Sequence, residues 1–333
     1  MANVAHAFSP KEWRCAVVSD ATDAGSTGIG TTMYQLDVDS VSYPSLNVMQ
    51  ALDVRSGVGA TLKDEDFFHD RTLRVVELSL SGTLHDDIGH RLLLANICGA
   101  AQADDTNQTI ASGHKIVSHR TAASAGLTNN AASLTVVIQP SDVSNQRGME
   151  FFGCVVTNFT ISADTATEGG RYKWSATIQT GRIPDLDSQV APTITAYANN
   201  TGTTLASASG VKVYGVDAVL NNFTTTIDYP AVFSGITSGG YEVVSRGAEC
   251  AVTHDCQVKY DGNTKDMISN FDGGAVKAEN TFIITNNGKF GIDTANGVLT
   301  NVALSEGDIM MLDMSLKAVD DGTDALLIVD LED

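Results

Sequence analysis

Leu73-Arg74-Val75-Val76-Glu77-Leu78-Ser79-Leu80-Ser81-Gly82-Thr83-Leu84 alternates, with Val76, Leu78, Leu80 and Leu84 on one face and mostly polar or small residues on the other. That period of two is the mark of a strand with one buried face and one wet face. Asp86 and Asp87 then offer an N-terminal cap, Ile88, Leu92, Leu93 and Ala95 form an apolar stripe at helical spacing, and Gly99 stands where a helix ends. The stretch therefore predicts a strand running into a capped helix, Ile88 to Cys98. It is the best helix in the chain. Elsewhere Gly, Ser, Thr, Ala and Asn are abundant and Pro is scarce at six residues, a usage that suits many strands joined by turns. The expected fold class is mainly β.

Working outward, the same order of pieces occurs twice. Each half opens with an alternating run, Leu46 to Leu62 and then Val216 to Tyr229. A second run in each half ends in His-Asp, at His85-Asp86 and His254-Asp255, and a short helical segment follows it, the second being Thr264 to Phe271. A further strand comes next, Leu134 to Ile138 and Thr281 to Thr285, and each half closes with a hairpin. The first hairpin joins Phe151–Ala163 to Arg171–Thr180 around Glu168-Gly169-Gly170; the second joins Ile309–Val319 to Ala325–Leu331 across Asp320-Asp321-Gly322. Ala100 to Ala132, poor in large apolar residues, reads as an extended loop, and Gly181 to Gly210 reads as a linker. The organisation expected is an arm over 1–40, a first module over 41–182, a linker over 183–210 and a second module over 211–333, each module a β-barrel or sandwich with a short flanking helix. A length of 333 residues gives the same count of two.

A formal charge of −20 argues against adhesive binding to nucleic acid or to an anionic membrane, because phosphate recognition depends on Lys and Arg. A conduit through which DNA slides without sticking is compatible with it. Apolar runs such as Leu92 to Ala95 fall far short of the roughly 20 residues that span a bilayer, so no membrane partner is expected. Met1 to Trp13 carries no continuous apolar core, so synthesis in a cytoplasm is expected. Five scattered cysteines, Cys15, Cys98, Cys154, Cys250 and Cys256, do not form a disulfide framework and read as reduced, buried thiols.

No catalytic constellation stands out. Gly25-Ser26-Thr27-Gly28-Ile29-Gly30 lacks the strand before and helix after it that a dinucleotide site needs, and no Gly-rich loop ends in Lys-Ser or Lys-Thr. His85 and His90 stand five apart with no third ligand at metal spacing. The His-Asp pairs have no nucleophile motif beside them and read as a strand end followed by a helix cap. Asp37-Val38-Asp39 and Asp320-Asp321-Gly322-Thr323-Asp324 lack the spacing of a calcium loop. No cofactor, metal or catalytic residue is expected, and the chain is read as a non-enzyme.

The first module resembles a tail tube protein of a long-tailed, siphovirus-like bacteriophage. The resemblance is carried by the strand Arg74 to Leu84 closing into the helix Asp87 to Cys98. It is also carried by Phe152-Gly153-Cys154-Val155-Val156-Thr157-Asn158-Phe159-Thr160-Ile161 continued by Tyr172 to Gly181, which is similar to that family's terminal hairpin. It covers Val41 to Arg182, and Val211 to Asp333 by order alone. The resemblance implies a virion structural protein, made in the host bacterial cytoplasm, that self-assembles as stacked rings into the phage tail. Its implied partners are other copies of itself, tail proteins such as terminators, the tape measure and distal tail proteins, and genomic DNA passing through the lumen during ejection. Two modules per chain imply a homotrimeric ring, a pseudo-hexamer. Three chains of −20 bring about −60 charge to it, much of it expected toward the lumen. The loop 100–132 and the segment Asp64 to Arg71 are candidate contacts between stacked rings, with Asp64, Glu65 and Asp66 the named residues.

Two other readings suit an acidic, duplicated β chain. A capsid or capsid-decoration protein is the first, although no helical pattern exceeds about three turns, where a capsid spine needs a long helix. A tandem carbohydrate-binding or adhesin module is the second, although Trp13 and Trp174 are the only tryptophans for stacking on sugars.

Overall fold

The structure, a computed structural model, describes residues 12–20, 32–43, 49–51, 67–69, 75–98, 114–117, 133–140, 147–188, 191–197, 204–237, 240–246, 249–272, 280–286, 290–320 and 325–331. The chain is mainly β, with several sheets packed as a sandwich.

Strand β9 (Gly148–Asp164) organises the fold because it belongs to two sheets. Its register against β8 (Leu134–Pro140) slips between Val136↔Phe151 and Leu134↔Cys154, and Gly153 in the slip has φ +58°. A bulge with a left-handed glycine bends the strand and re-aims its second half. Before the bend β9 pairs with β8, and on its other edge with β11 (Asp185–Ser188). Beyond β8 lie β1 (Trp13–Ser19), β2 (Thr32–Leu36) and β12 (Thr193–Thr195).

After the bend β9 lies inside a long antiparallel sheet of eight strands. Its order is β3 (Ser40–Ser42), β6 (Val76–Thr83), β10 (Lys173–Thr180), β9, β15 (Leu220–Asp228), β18 (Ala251–Lys259), β22 (Met311–Ala318) and β21 (Gly297–Ser305). The strand expected from Val76 to Leu84 is β6, and its inward Val76, Leu78 and Leu80 are buried as the alternation requires.

A six-stranded sheet packs under the second half: β14 (Val216–Asp217), β13 (Gly210–Val213), β19 (Phe282–Asn286), β20 (Phe290–Thr294), β23 (Ile328–Leu331) and β7 (His114–Val117). Phe223 of β15 meets Phe282 of β19 at 6.0 Å between ring centroids, and Tyr172 meets Phe290 at 4.0 Å. Two hairpins complete the strands, β4 (Met49–Ala51) with β5 (Phe67–His69), and β16 (Ala231–Thr237) with β17 (Gly240–Arg246).

Helix α1 (Ile88–Cys98) packs on β1, β2, β7 and β9 and buries Leu93, Leu94 and Ile97 completely. Asp87 is its cap: Oδ1 accepts the N–H of His90 at 3.0 Å. Asp86 instead forms a buried ion pair with Arg91. Helix α2 (Met267–Asp272) is the short second helix expected within 264–271, and it packs near β21.

Four expectations change. The second half does not close with a hairpin of β22 and β23, since β22 pairs with β18 and β21 whereas β23 pairs with β20 and β7 in the other sheet. The first 40 residues are not only an arm, since β1 runs between β2 and β8 with Ala16, Val17 and Val18 wholly buried. Strict alternation is absent there because both faces of the strand are covered. The segment 183–210 contributes β11 and β12 to sheets, so it does not separate the halves cleanly. The stretch 100–132 contains β7, which crosses to pair with β23 near the end of the chain. Short strands rich in small polar residues are hard to tell from loops by pattern alone.

The seam between the halves is a continuous hydrogen-bonded strand pairing. β9 pairs with β15 over seven residues, from Asn158↔Asp228 to Asp164↔Asn222. Arg246, at the end of β17, clamps this seam. One of its terminal nitrogens donates to the carbonyls of Val156 at 2.8 Å and Tyr229 at 2.6 Å; the other donates to the carbonyl and side-chain oxygen of Asn96, each at 3.2 Å. The guanidinium lies 4.8 Å from the centroid of the Tyr229 ring. Burial pushes its pKa down to about 10, which leaves it charged at neutral pH.

Candidate functional site

The largest feature with a repeating chemistry is the outer face of the eight-stranded sheet. Inward residues such as Trp174, Phe159, Ile161, Phe223, Leu312 and Leu316 are buried. Outward residues stay half-exposed or exposed along the strands, Thr83 and Val155 excepted. Because pairing sets residues side by side, the outward positions form rows across the sheet. One row is Ser40, Ser81, Ser175, Thr160, Thr226, Thr253, Lys317 and Val298. The next is Thr83, Lys173, Ser162, Thr224, Asp255, Ser315 and Asn301.

The charge on this face is small. It carries the carboxylates Glu77, Asp164, Asp228, Asp255 and Asp313 against the cations Lys173, Lys259 and Lys317, a difference of two from a chain total of −20. The expectation that much of the acidity lies on one channel face does not describe this sheet. Several charges are also occupied. Asp255 accepts from Ser315 at 2.6 Å, Asp313 from Gln257 at 2.8 Å and Glu77 from Gln179 at 2.9 Å, while Lys173 bonds Asp39 and Glu168. What remains is a lawn of short hydroxyls and amides with few free cations for a phosphate.

The sheet has two open edges. Among the described residues β3 pairs only with β6, and β21 pairs only with β22. Large apolar side chains are exposed beside both: Tyr43 follows β3, while Leu304 on β21 precedes Ile309 and Met310 in the turn to β22. Open edges with exposed apolar groups invite pairing with another chain. An open cleft of about 740 Å³ lies at one end of the sheet, bordered by Leu205, Val219, Leu220, Ile309 and Met311. It has an apolar border and no converging charges beyond Lys259 and Asp217.

The densest polar cluster is elsewhere, where β6 turns into α1. His85 Nε2 lies 2.7 Å from Asp37 Oδ2, His90 Nδ1 lies 2.8 Å from Asp87 Oδ1, and the two imidazoles are 5.9 Å apart. Tyr197 stacks on His85 and Trp174 meets His90 edge-on. Each imidazole thus has a carboxylate and an aromatic neighbour, the arrangement of a packed corner that fixes the helix start. No group of three or more His, Cys, Asp or Glu suited to a metal occurs among the described residues.

His254 differs from His85, against the expectation that both end a strand before a helix. It sits in the middle of β18, wholly buried, stacked 4.3 Å from Phe282 and held by the hydroxyls of Thr225 and Thr294, each at 2.9 Å. Burial pushes its pKa down to about 3, so it is a neutral core residue. The shared dipeptide has no shared place in the fold.

The proposed ring contacts Asp64, Glu65 and Asp66 lie outside the described residues. Sequence reading also missed the better internal match. Val155-Val156-Thr157-Asn158-Phe159-Thr160-Ile161-Ser162 on β9 and Val298-Leu299-Thr300-Asn301-Val302-Ala303-Leu304-Ser305 on β21 share Val, Thr-Asn and Ser at the same spacing. That signal was present in the residues.

No helix among the described residues is long and apolar enough to cross a membrane. No known family model matches the chain, and no curated protein is similar to it.

Proposed function

We propose that this chain is a structural subunit that polymerises as stacked rings into the tail tube of a bacteriophage and forms a conduit for DNA. The reading is supported above all by one observation: a continuous eight-stranded antiparallel sheet with a polar, hydroxyl-rich outer face and two open edges. Edge-to-edge association of copies would join such sheets into a wall with no free edge. DNA passing along the outer face would meet small neutral groups and a slight excess of carboxylates, with no basic stripe to hold phosphates.

Two tandem modules suit the strand order. The first half runs β3-β6-β10-β9 and the second β15-β18-β22-β21, and a helix follows β6 and β18 alike. Three copies would then supply six modules and 24 wall strands (3 × 8). The capsid alternative fits less well, since α1, the longer of the two described helices, has 11 residues. Partners in this reading are other copies of the chain, neighbouring tail proteins and genomic DNA. Site of action is the virion, and no catalytic role is assigned.

Negative-stain electron microscopy with mass measurement on the same purified sample tests the proposal. Rings or tubes with a central hole and three chains per ring are expected. Closed shells, or a monodisperse monomer at high concentration, would overturn it.

A further inference from the structure

We infer that copies of this chain associate through β21 of one and β3 of the next in a defined antiparallel register that sets Ser305 opposite Ser42 and Leu304 opposite Tyr43. The inference rests on the self-assembly reading above and adds the partner segment and its alignment.

The register follows from the seam that the chain already contains. Hairpin β9–β10 and hairpin β21–β22 carry the same bulge, with Val156↔Ile178 and Asn158↔Thr177 flanking it in one, and Leu299↔Leu316 and Asn301↔Ser315 in the other. Counting along from that anchor makes Leu304 the counterpart of Ile161 and Ser305 the counterpart of Ser162. On the other side, Leu80 pairs with Ala176 and Cys256 with Met314, which makes Leu80 and Cys256 counterparts. Val41 faces Leu80 and Phe223 faces Cys256, so β3 corresponds to β15, with Ser42 matching Thr224 and Tyr43 matching Thr225.

Inside the chain, Thr224 faces Ser162 and Thr225 faces Ile161 across the β9–β15 seam. Applying the same step once more carries the second half onto the first half of a new copy, and the seam becomes β21 against β3. Burial agrees with this. Ile161 and Thr225 are both 0% exposed at the internal seam, whereas their counterparts Leu304 and Tyr43 are 49% and 46% exposed at the two ends. Among the described residues the chain thus has one seam made and two complementary halves of the same seam unmade. The step is head-to-tail, so a second copy brings a fresh β21 edge with it.

Disulfide trapping of the full chain tests the register. Ser42→Cys and Ser305→Cys would be placed together, each alone, and as a mixture of the two single variants, then oxidised with copper phenanthroline and run without reductant. The two positions lie at opposite edges of the sheet, seven inter-strand steps of about 4.8 Å apart, so a bond between them within one chain is out of reach. Directly opposed residues sit about 4.5 to 5.5 Å apart at Cα, within disulfide range. A ladder of covalent multimers is expected from the double variant and a single covalent pair from the mixture. The control Ser42→Cys with Ala303→Cys, two residues out of register, should bond far less. Rings in the microscope with no ladder, or with a stronger ladder from the control, would overturn the register and leave the assembly standing. A ladder that stops at two would keep the pairing and overturn the tube. No association by mass at any concentration would overturn both.

Discussion

Thr157 and Thr300 do the same work in two places. Each is the extra residue of a β-bulge, and each donates its hydroxyl to the carbonyl across the hairpin, Thr157 to Thr177 at 3.2 Å and Thr300 to Ser315 at 3.0 Å. The hydroxyl satisfies an acceptor that the bulge takes out of the regular ladder. Thr157 is nearly buried and Thr300 is exposed, because β9 has β15 beside it and β21 has no described strand there. Thr157→Val is therefore expected to cost about 1 kcal/mol and Thr300→Val about 0.5 kcal/mol in the unassembled chain, measured by urea unfolding. The two are well separated, so the double variant should show the sum.

The same alignment places His254 where the first half has Leu78, since Leu316 faces His254 and Ile178 faces Leu78. The folded imidazole takes a proton only near pH 3, against 6.5 when unfolded. Between those values the unfolded state holds the extra proton, so this residue lowers stability as pH falls from 6.5 toward 3. At pH 5 the 1.5-unit gap from 6.5 amounts to about 2 kcal/mol. His254→Leu leaves the hydroxyls of Thr225 and Thr294 without that partner, at about 1 kcal/mol each. Thermal melts at pH 7.5 and pH 5 should show the variant less stable than the parent at the first and about equal at the second. An unchanged pH difference would place the acid sensitivity elsewhere.

Legibility followed periodicity. Residues 74–98 announced β6 because one face of it is buried and the other wet, and announced α1 through its cap and apolar spacing although nearly all of that helix is buried; Phe151 to Thr180 announced β9 and β10 by alternation. β1 was hidden by burial on both faces, which erases alternation at Ala16, Val17 and Val18. β7, β11 and β12 are three or four residues long and depend on partners distant in sequence. The outer face was legible as alternation, but its neutrality was not, since net charge does not say which surface carries it. The expected repeat was read from order and from a His-Asp pair that has no shared place in the fold, when Thr-Asn at the two bulges is the closer residue-level match.

Arg246 is expected to be the most sensitive single position at the seam. Its charge is held by carbonyls of both halves, the Asn96 side chain and the Tyr229 ring. Arg246→Met keeps much of the stem's packing and removes every one of those donors. Leaving buried carbonyls unpaired costs about 1 to 3 kcal/mol each, so a loss of at least 3 kcal/mol is expected by denaturant titration. Arg246→Lys should recover only part of it, because an ammonium cannot reproduce the planar fork. Since no carboxylate appears among its described contacts, the loss should change little between 50 mM and 500 mM salt, unlike that of a surface ion pair.

None of the five cysteines is in a disulfide, and all are buried. Burial raises the thiol pKa of Cys15 to about 12 and pushes those of Cys98, Cys154 and Cys256 up as well. The thiolate is the reactive form, and almost none is present at pH 7.5 when the pKa lies that high. Ellman's reagent should therefore label the native protein negligibly over several minutes and all five thiols after guanidinium unfolding. A fast-reacting thiol in the native state would show that one of these sites opens without global unfolding. Slow labelling would also mean that a disulfide trapped between engineered residues on β3 and β21 reports that seam, with no contribution from the native thiols.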